Sequence, residues 1–279
     1  MALNPVAVDE LVRRALLEDI GPGDITTEAT VPAGLTCTAS IIAKENGVIC
    51  GHLVAQSTFR AMDPTSVYEV LAEEGSTVIA GQEVARVTGN ARGILSAERV
   101  ALNFLQRMSG IASTTRRLSE SIKYYPARLV ETRKTTPGLR LIEKYAVRVG
   151  GGLNHRFGLH DAVLIKDNHI ALAGGVRPAV VAARKLASHT SRVEVEVETL
   201  GQLQEAVEAG ADIILLDNMD ADTMRKAVEL VAGRAILEAS GNVTAQNLEE
   251  VARTGVDIIS MGALTHSVRA LDLSLEIEA

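Results

Sequence analysis

Between residues 128 and 260 short apolar runs alternate with amphipathic segments, and this alternation constrains the fold more than any other feature. The runs are Arg128–Glu131, Ala162–Ile165, Val193–Val197, Asp212–Leu216, Ala235–Glu238 and Asp257–Ser260. Helical spacing separates them at about Gly138–Val149, Val176–Ala187, Leu200–Ala209, Ala221–Val231 and Thr244–Arg253. Strands that are apolar throughout and each followed by a helix predict a parallel sheet with helices packed over it, closed or nearly closed into a barrel. Six such units fall short of the eight of a complete barrel.

The chain upstream has a different grain. Asn4-Pro5 predicts a helix start, Leu11, Val12, Ala15 and Leu16 follow at helical spacing, and Gly21-Pro22-Gly23 ends the run. Short β-rich runs then lie at Thr36–Ala43, Gly47–Cys50, Tyr68–Leu71 and Glu83–Val87, with a helix at about His52–Met62. This predicts an α+β sandwich domain with an antiparallel sheet over residues 1–110, and a helix at about Ser96–Ser119 leads out of it. The alternating tail Val268–Ile277 is expected to return to that sheet, so residues 267–279 join the first domain and 111–266 form the barrel. The stretch from Glu74 to Val87 resembles half of a lipoyl or biotinyl carrier domain. A carrier needs an exposed lysine at the hairpin tip, and none lies between Lys44 and Lys123, so the stretch reads as structural.

Composition narrows the function. Three Phe, four Tyr and no Trp leave few rings for stacking bases, so nucleic acid is not expected as a partner. No apolar run reaches the length of a membrane span and the N-terminus lacks a signal pattern, which predicts a cytoplasmic protein. Cys37 and Cys50 are too few for a disulfide framework and are read as reduced thiols. The net charge is −7, yet residues 99–166 hold 13 Lys or Arg against four acids (Glu120, Glu131, Glu143 and Asp161), leaving 15 against 31 elsewhere. A basic stretch inside an acidic protein suits a site for a small anion.

Barrel enzymes place their chemistry at the carboxyl ends of the strands. Here those ends read Glu131-Thr132-Arg133-Lys134, Lys166-Asp167-Asn168-His169, Glu194 and Glu196, Asp217-Asn218, Glu238-Ala239-Ser240-Gly241 and Met261-Gly262-Ala263. Arg133, Lys134 and Lys166 are cations for carboxylate or phosphate oxygens, whereas Glu196 and Asp217 suit a divalent metal or sugar hydroxyls. Ser240-Gly241-Asn242 and Gly262-Ala263, expected just before helices, offer backbone N–H groups to a phosphate. The Gly150–Arg156 loop adds His155-Arg156, donors of the kind a dicarboxylate demands. Zinc is disfavoured, because the histidines follow no familiar ligand spacing and cations surround them.

These residues carry a resemblance. Glu18-Asp19-Ile20-Gly21-Pro22-Gly23-Asp24-Ile25-Thr26-Thr27, Glu98-Arg99-Val100-Ala101-Leu102-Asn103, Ser109–Thr115, Thr132–Arg140, Lys144–Arg148, Gly150–Arg156, Leu164–His169, Leu215–Asn218 and Gly262–Ser267 together resemble the type II phosphoribosyltransferases that act on quinolinate, also called nicotinate-nucleotide pyrophosphorylases (carboxylating). The resemblance implies an α+β sandwich domain followed by an incomplete TIM-like barrel. It also implies a homodimer in which Arg99 reaches the partner's site. It assigns Arg133, His155, Arg156 and Lys166 to the two quinolinate carboxylates. Lys134, Lys166, Glu196, Asp217, Ser240, Gly241, Asn242, Met261, Gly262 and Ala263 fall to phosphoribosyl pyrophosphate (PRPP), with Mg²⁺ at Glu196 and Asp217, and Thr132 is placed among the substrate-binding residues. Lys134, Lys166, Glu196 and Asp217 would carry the catalytic charge management. Where the family often has two serines before the glycine, this chain has Ala239-Ser240-Gly241.

The activity so implied is a pentosyl transfer from PRPP to quinolinate with decarboxylation, giving nicotinate mononucleotide, pyrophosphate and CO₂. Two other readings remain open on sequence: a phosphoribosyltransferase of the same fold with another acceptor, and a Schiff-base barrel lyase using Lys166.

Overall fold

The structure, a computed structural model, describes residues 2–278. By compactness the chain forms two units. The first holds the described residues up to Arg116, Thr136–Gly151 and those from Ser267 on, and the second holds Arg117–Thr135 and Gly152–His266.

The first unit opens with α1 (Pro5–Ile20), where Asn4 accepts the Val6 N–H and Pro5 occupies the first turn. α2 (Ile25–Thr30) follows, capped by the Asp24 side chain on Thr27 N–H. Next come β1 (Thr36–Ala43), β2 (Gly47–Val48), α3 (His52–Met62), β3 (Val67–Val70), β4 (Thr77–Val78), β5 (Glu83–Asn90) and α4 (Ala91–Ser121). α4 is longer than its apolar periodicity predicts and begins directly at the end of β5. Ala39, Ile41 and Ala43 project from one face of β1 into a core shared with Ile94, Ala97, Leu102 and Leu105 of α4.

The remaining elements are β6 (Arg128–Val130), α5 (Arg140–Val149), β7 (Val163–Ile165), α6 (Asp167–Ala173), α7 (Val176–Leu186), β8 (Val193–Val197), α8 (Leu200–Glu208), β9 (Ile213–Asp217), α9 (Ala221–Val231), β10 (Ile236–Ser240), α10 (Leu248–Arg253), β11 (Ile258–Ser260), α11 (Ala263–His266) and β12 (Leu273–Ile277). β12 pairs antiparallel with β1, Ala43 opposite Leu273, in a sheet ordered β12-β1-β5-β3. The returning tail is therefore a strand only over its last five residues. α5 groups by contact with the first unit.

The second unit is built on a parallel sheet ordered β6-β11-β10-β9-β8-β7. The last strand, β11, lies beside β6, so the sheet curls round and stays open only between β6 and β7: an incomplete TIM-like barrel. A segment on the open side partly fills the gap. Leu153 forms a parallel bridge with Val130 and donates its N–H to Leu129 O at 2.8 Å.

Candidate active site

Strand periodicity decides which side chains enter the barrel. On β8, Val193, Val195 and Val197 are buried on one face, while Glu194 and Glu196 share the other. The same parity brings Lys166 past β7, Asp217 of β9, Glu238 and Ser240 of β10 and Ser260 of β11 to one cavity of 620 Å³ at the carboxyl ends of the strands.

Most of the expected residues meet there. Thr132, Arg133, Lys134, His155 and Arg156 line the cavity on one side; Lys166, Glu196, Asp217 and Ser240–Asn242 line it on the others. Met261 is buried and does not line it, but Gly262 abuts it, because a Cβ there would come within 3.0 Å of Lys134 Cδ. Neither Gly262 nor Ala263 lines the cavity, and Arg99 is exposed on α4 in the first unit. Asn218 and Glu238, strand-end residues with no role assigned from sequence, also line the cavity, as does Ser260, which the sequence does not single out. The signal for the last two was the alternation in Ile236-Leu237-Glu238-Ala239-Ser240 and its counterpart on β11, which puts a polar side chain inward every second residue.

The cations are held in place from below. Lys134 donates its N–H to Thr132 Oγ1 at 3.0 Å, and its carbonyl accepts the Thr265 hydroxyl at 2.8 Å. Lys166 Nζ donates to Glu196 Oε2 at 2.7 Å, and Lys166 N–H donates to His169 Nδ1 at 2.9 Å, at the start of α6. An ion pair of this kind suits an ammonium that binds anions rather than a carbonyl nucleophile. Arg156 Nη1 donates to Ala162 O at 3.1 Å, while its Nε is buried with no hydrogen-bond partner in the protein. Burial, and then the neighbouring Arg133, push the Arg156 guanidinium below its ordinary value. Two guanidiniums converging on a cavity, one with a buried unmet donor, call for an anion.

The loops after β9 and β10 share a geometry of their own. Asn218, Gly241 and Asn242 all take positive φ (54°, 86° and 54°). Asn218 donates its N–H to Ser240 O at 2.9 Å and its Nδ2 to Asp217 Oδ2 at 2.8 Å, and Asn242 Nδ2 donates to Asn218 Oδ1 at 2.9 Å. A Cβ on Gly241 would overlap the Asn218 side-chain carbonyl, so only glycine fits. The helix expected from Thr244 begins only at Leu248, after a turn in which Asn247 accepts the Thr244 N–H at 2.7 Å. Residues 240–242 therefore do not run straight into a helix N-terminus; they form a left-handed loop that can present N–H groups as a nest.

The floor is acidic. Glu131, Glu194 and Glu238 are at most 4% exposed. His155 Nδ1 accepts the Arg156 N–H at 2.7 Å, so the ring hydrogen sits on Nε2, which faces Glu194 at 3.4 Å and Glu238 at 3.6 Å. Glu194 Oε1 and Glu238 Oε1 are buried without hydrogen-bond partners. Burial first, and then Glu194, push the Glu238 carboxyl up to about 7. The three ligand atoms of His155, Glu194 and Glu238 lie within 4.8 Å of one another. A cation is nonetheless a poor fit, because the nitrogen facing the carboxylates is the one carrying hydrogen.

An open six-unit barrel whose carboxyl mouth gathers cations, carboxylates and a left-handed glycine loop defines an α/β-barrel enzyme for small anionic substrates. The comparisons narrow that class. The model of the quinolinate phosphoribosyl transferase N-terminal domain matches residues 24–109 and that of its C-terminal domain matches residues 111–276. The quinolinate phosphoribosyltransferase [decarboxylating] 2 of Nicotiana glauca is 44% identical over 288 residues, covering 96% of this chain and 82% of that protein. The nicotinate-nucleotide pyrophosphorylase [carboxylating] of Arabidopsis thaliana is 44% identical over 287 residues, with the same coverage. The solved structure of the nicotinate-nucleotide pyrophosphorylase from Francisella tularensis superposes with a TM-score of 0.95 at 42% identity, covering 99% of this chain and 98% of that one. The chain belongs to the quinolinate phosphoribosyl transferase family.

Proposed function

We propose that this chain transfers the phosphoribosyl group of PRPP to the ring nitrogen of quinolinate with decarboxylation, releasing nicotinate mononucleotide, pyrophosphate and CO₂ for NAD biosynthesis. The observation that carries the reading is the pairing of Arg133 with Arg156, whose buried Nε lacks a protein partner, in one cavity with Lys134, Lys166, Glu196 and Asp217. A dicarboxylate satisfies the guanidiniums, and a phosphorylated sugar spans the remaining charges.

In this reading Arg133 and Arg156 orient quinolinate through its carboxylates, with Lys166 between the two substrates. The ring nitrogen displaces pyrophosphate from the anomeric carbon through an oxocarbenium-like transition state. Lys134 and Lys166 stabilise the leaving charge, while Glu196 and Asp217 face the developing positive sugar. The left-handed loop at Ser240–Asn242 and the close approach at Gly262 suit the phosphate end of the nucleotide. The bond to the 2-carboxylate then breaks with loss of CO₂, the cationic ring nitrogen stabilises the electron pair left on C2, and that pair takes up a proton from water to give the product. Glu196 and Asp217 are hard oxygen donors of the kind Mg²⁺ takes alongside phosphate oxygens, and Mg²⁺ when bound neutralises charge on the departing pyrophosphate.

Two further assignments belong to the same proposal: a homodimer in which Arg99, exposed on α4, contributes to the partner's site, and a cytoplasmic location. Among the described residues no helix is long and apolar enough to cross a membrane. No observation favours a Schiff-base lyase. The test is mass-spectrometric detection of nicotinate mononucleotide from quinolinate, PRPP and Mg²⁺. Failure of all three together to give product, with a known family member active in parallel, overturns the reading.

A further inference from the structure

Arg156 can meet a carboxylate only if its backbone is held, and it lies on an irregular segment at the open edge of the barrel. We propose that Glu131 is the positioning residue for this half of the site: its buried carboxylate seats residues 153–156 and so fixes where Arg156 delivers its guanidinium. The proposal rests on the reading of Arg156 as a binder of the acceptor acid.

Glu131 follows β6 directly and has no exposed surface. Its Oε1 accepts the His155 N–H at 3.1 Å, and its Oε2 accepts Asn154 Nδ2 at 2.9 Å. The bridge between Val130 and Leu153 sets the register just before these bonds. The chain of contacts then runs outward. The His155 backbone is pinned by Glu131, its ring accepts the Arg156 N–H, and the opposite ring nitrogen faces Glu194 and Glu238. Arg156 is anchored once more through Nη1 to Ala162 O, and the residue lines the cavity. His155 thus turns its ring hydrogen down to the acids, and in this arrangement it sets Arg156 in place.

A fold device alone does not explain the choice of residue. Edge pairing at Leu153 already joins the segment to β6, and a neutral amide could accept the His155 N–H at far lower desolvation cost than a buried carboxylate. What the carboxylate adds is two strong acceptors in one plane, one for each of two successive residues.

The experiment uses the full chain with Glu131→Ala, Asn154→Ala and Glu131→Gln, measuring thermal midpoints and separate KM values for quinolinate and PRPP. Glu131→Ala is expected to raise the quinolinate KM about 10–100-fold and Asn154→Ala about 3–10-fold, with the PRPP KM within about twofold of wild type in both. Glu131→Gln keeps an acceptor for His155 but loses the second acceptor that holds Asn154, so it should recover only part of the loss. A lower midpoint with both KM values unchanged, or a parallel rise in both, overturns the proposal. Asn154→Ala decides alone if Glu131→Ala does not fold. If the wild-type chain makes no nicotinate mononucleotide, the functional reading has failed by itself. The positioning claim is then decided by the ¹⁵N imidazole spectrum without substrates: loss of the His155 Nε2–H tautomer in Asn154→Ala supports it, and an unchanged tautomer there sinks it.

Discussion

Replacing Glu238 with glutamine tests whether the barrel floor stores a proton. The carboxyl titrates near 4.5 when unperturbed and is pushed up to about 7 in the folded chain, first by burial and then by Glu194. The sign follows from linkage. Between those two pH values the folded chain keeps a proton that the unfolded chain has released, so stability falls as pH rises through the window and the full penalty is present above pH 7. Each pH unit of separation is worth about 1.4 kcal/mol, which bounds the loss near ~3 kcal/mol. Part of the rise belongs to Glu194, so about 1–3 kcal/mol is expected from Glu238 itself. Glutamine has nearly the same shape and cannot ionise. The variant should therefore match the wild type within about 1 kcal/mol at pH 4.5 and exceed it by about 1–3 kcal/mol at pH 8. Urea unfolding of both proteins at pH 4.5, 6, 7 and 8 gives the difference directly, and every other titrating group common to both cancels in it. A difference that does not change with pH would falsify the claim that Glu238 holds its proton near neutrality.

Two substitutions test the rim of the cavity. Arg133→Ala removes a bidentate carboxylate partner and should weaken quinolinate binding by about 1.5–3 kcal/mol, roughly 10–150-fold; calorimetric affinity near that of the wild type would remove Arg133 from the acid site. Gly241→Ala forces a side chain into the Asn218 carbonyl at a φ of 86°, whereas Gly210→Ala meets a similar φ of 80° with open space around it. The second should cost only the left-handed penalty of about 1–2 kcal/mol, while the first should also raise the KM for PRPP. Equal effects of the two on that KM would show that the loop after β10 does not serve the phosphate.

Long periodic stretches made much of the fold readable. α3, β1, β8 and α9 fall on the runs expected of them because each carries an unbroken apolar stripe or alternation. α6 went unseen for the converse reason: none of its seven residues is buried, so nothing periodic marks it. α2 buries only Thr27, and its signature was a cap, Asp24 on Thr27 N–H, rather than a stripe. At the site, the charged residues that follow the strands were legible because a barrel gathers strand ends. Ser260 was harder, because it closes a short apolar run and only the inward parity of β11 marks it. The seating of His155 by Glu131 depends on Leu153 pairing with β6 across 23 positions of chain, and no local pattern encodes such a pairing.

The polar interior leads to one more expectation, about the ligand. Barrel cores are ordinarily apolar, yet this one sets buried acids beneath guanidiniums that crowd one another. Arg156 Nε has no hydrogen-bond partner in the protein and the neighbouring Arg133 disfavours its charge, a combination that favours an anion where an acceptor acid would lie. An anion bearing two carboxylates relieves that charge only in the folded state, because no preformed pair of guanidiniums exists in the unfolded chain. Saturating quinolinate should therefore stabilise the protein by mass action, about 2.7 kcal/mol at a hundred times its dissociation constant. Nicotinate has one carboxylate fewer and leaves one guanidinium unmatched, so at equal concentration it should stabilise markedly less. Thermal melts with each acid in the absence of PRPP separate binding from turnover. Equal stabilisation by the two acids would mean that the paired guanidiniums do not read the second carboxylate, and the assignment of Arg133 and Arg156 to one dicarboxylate would fall with it.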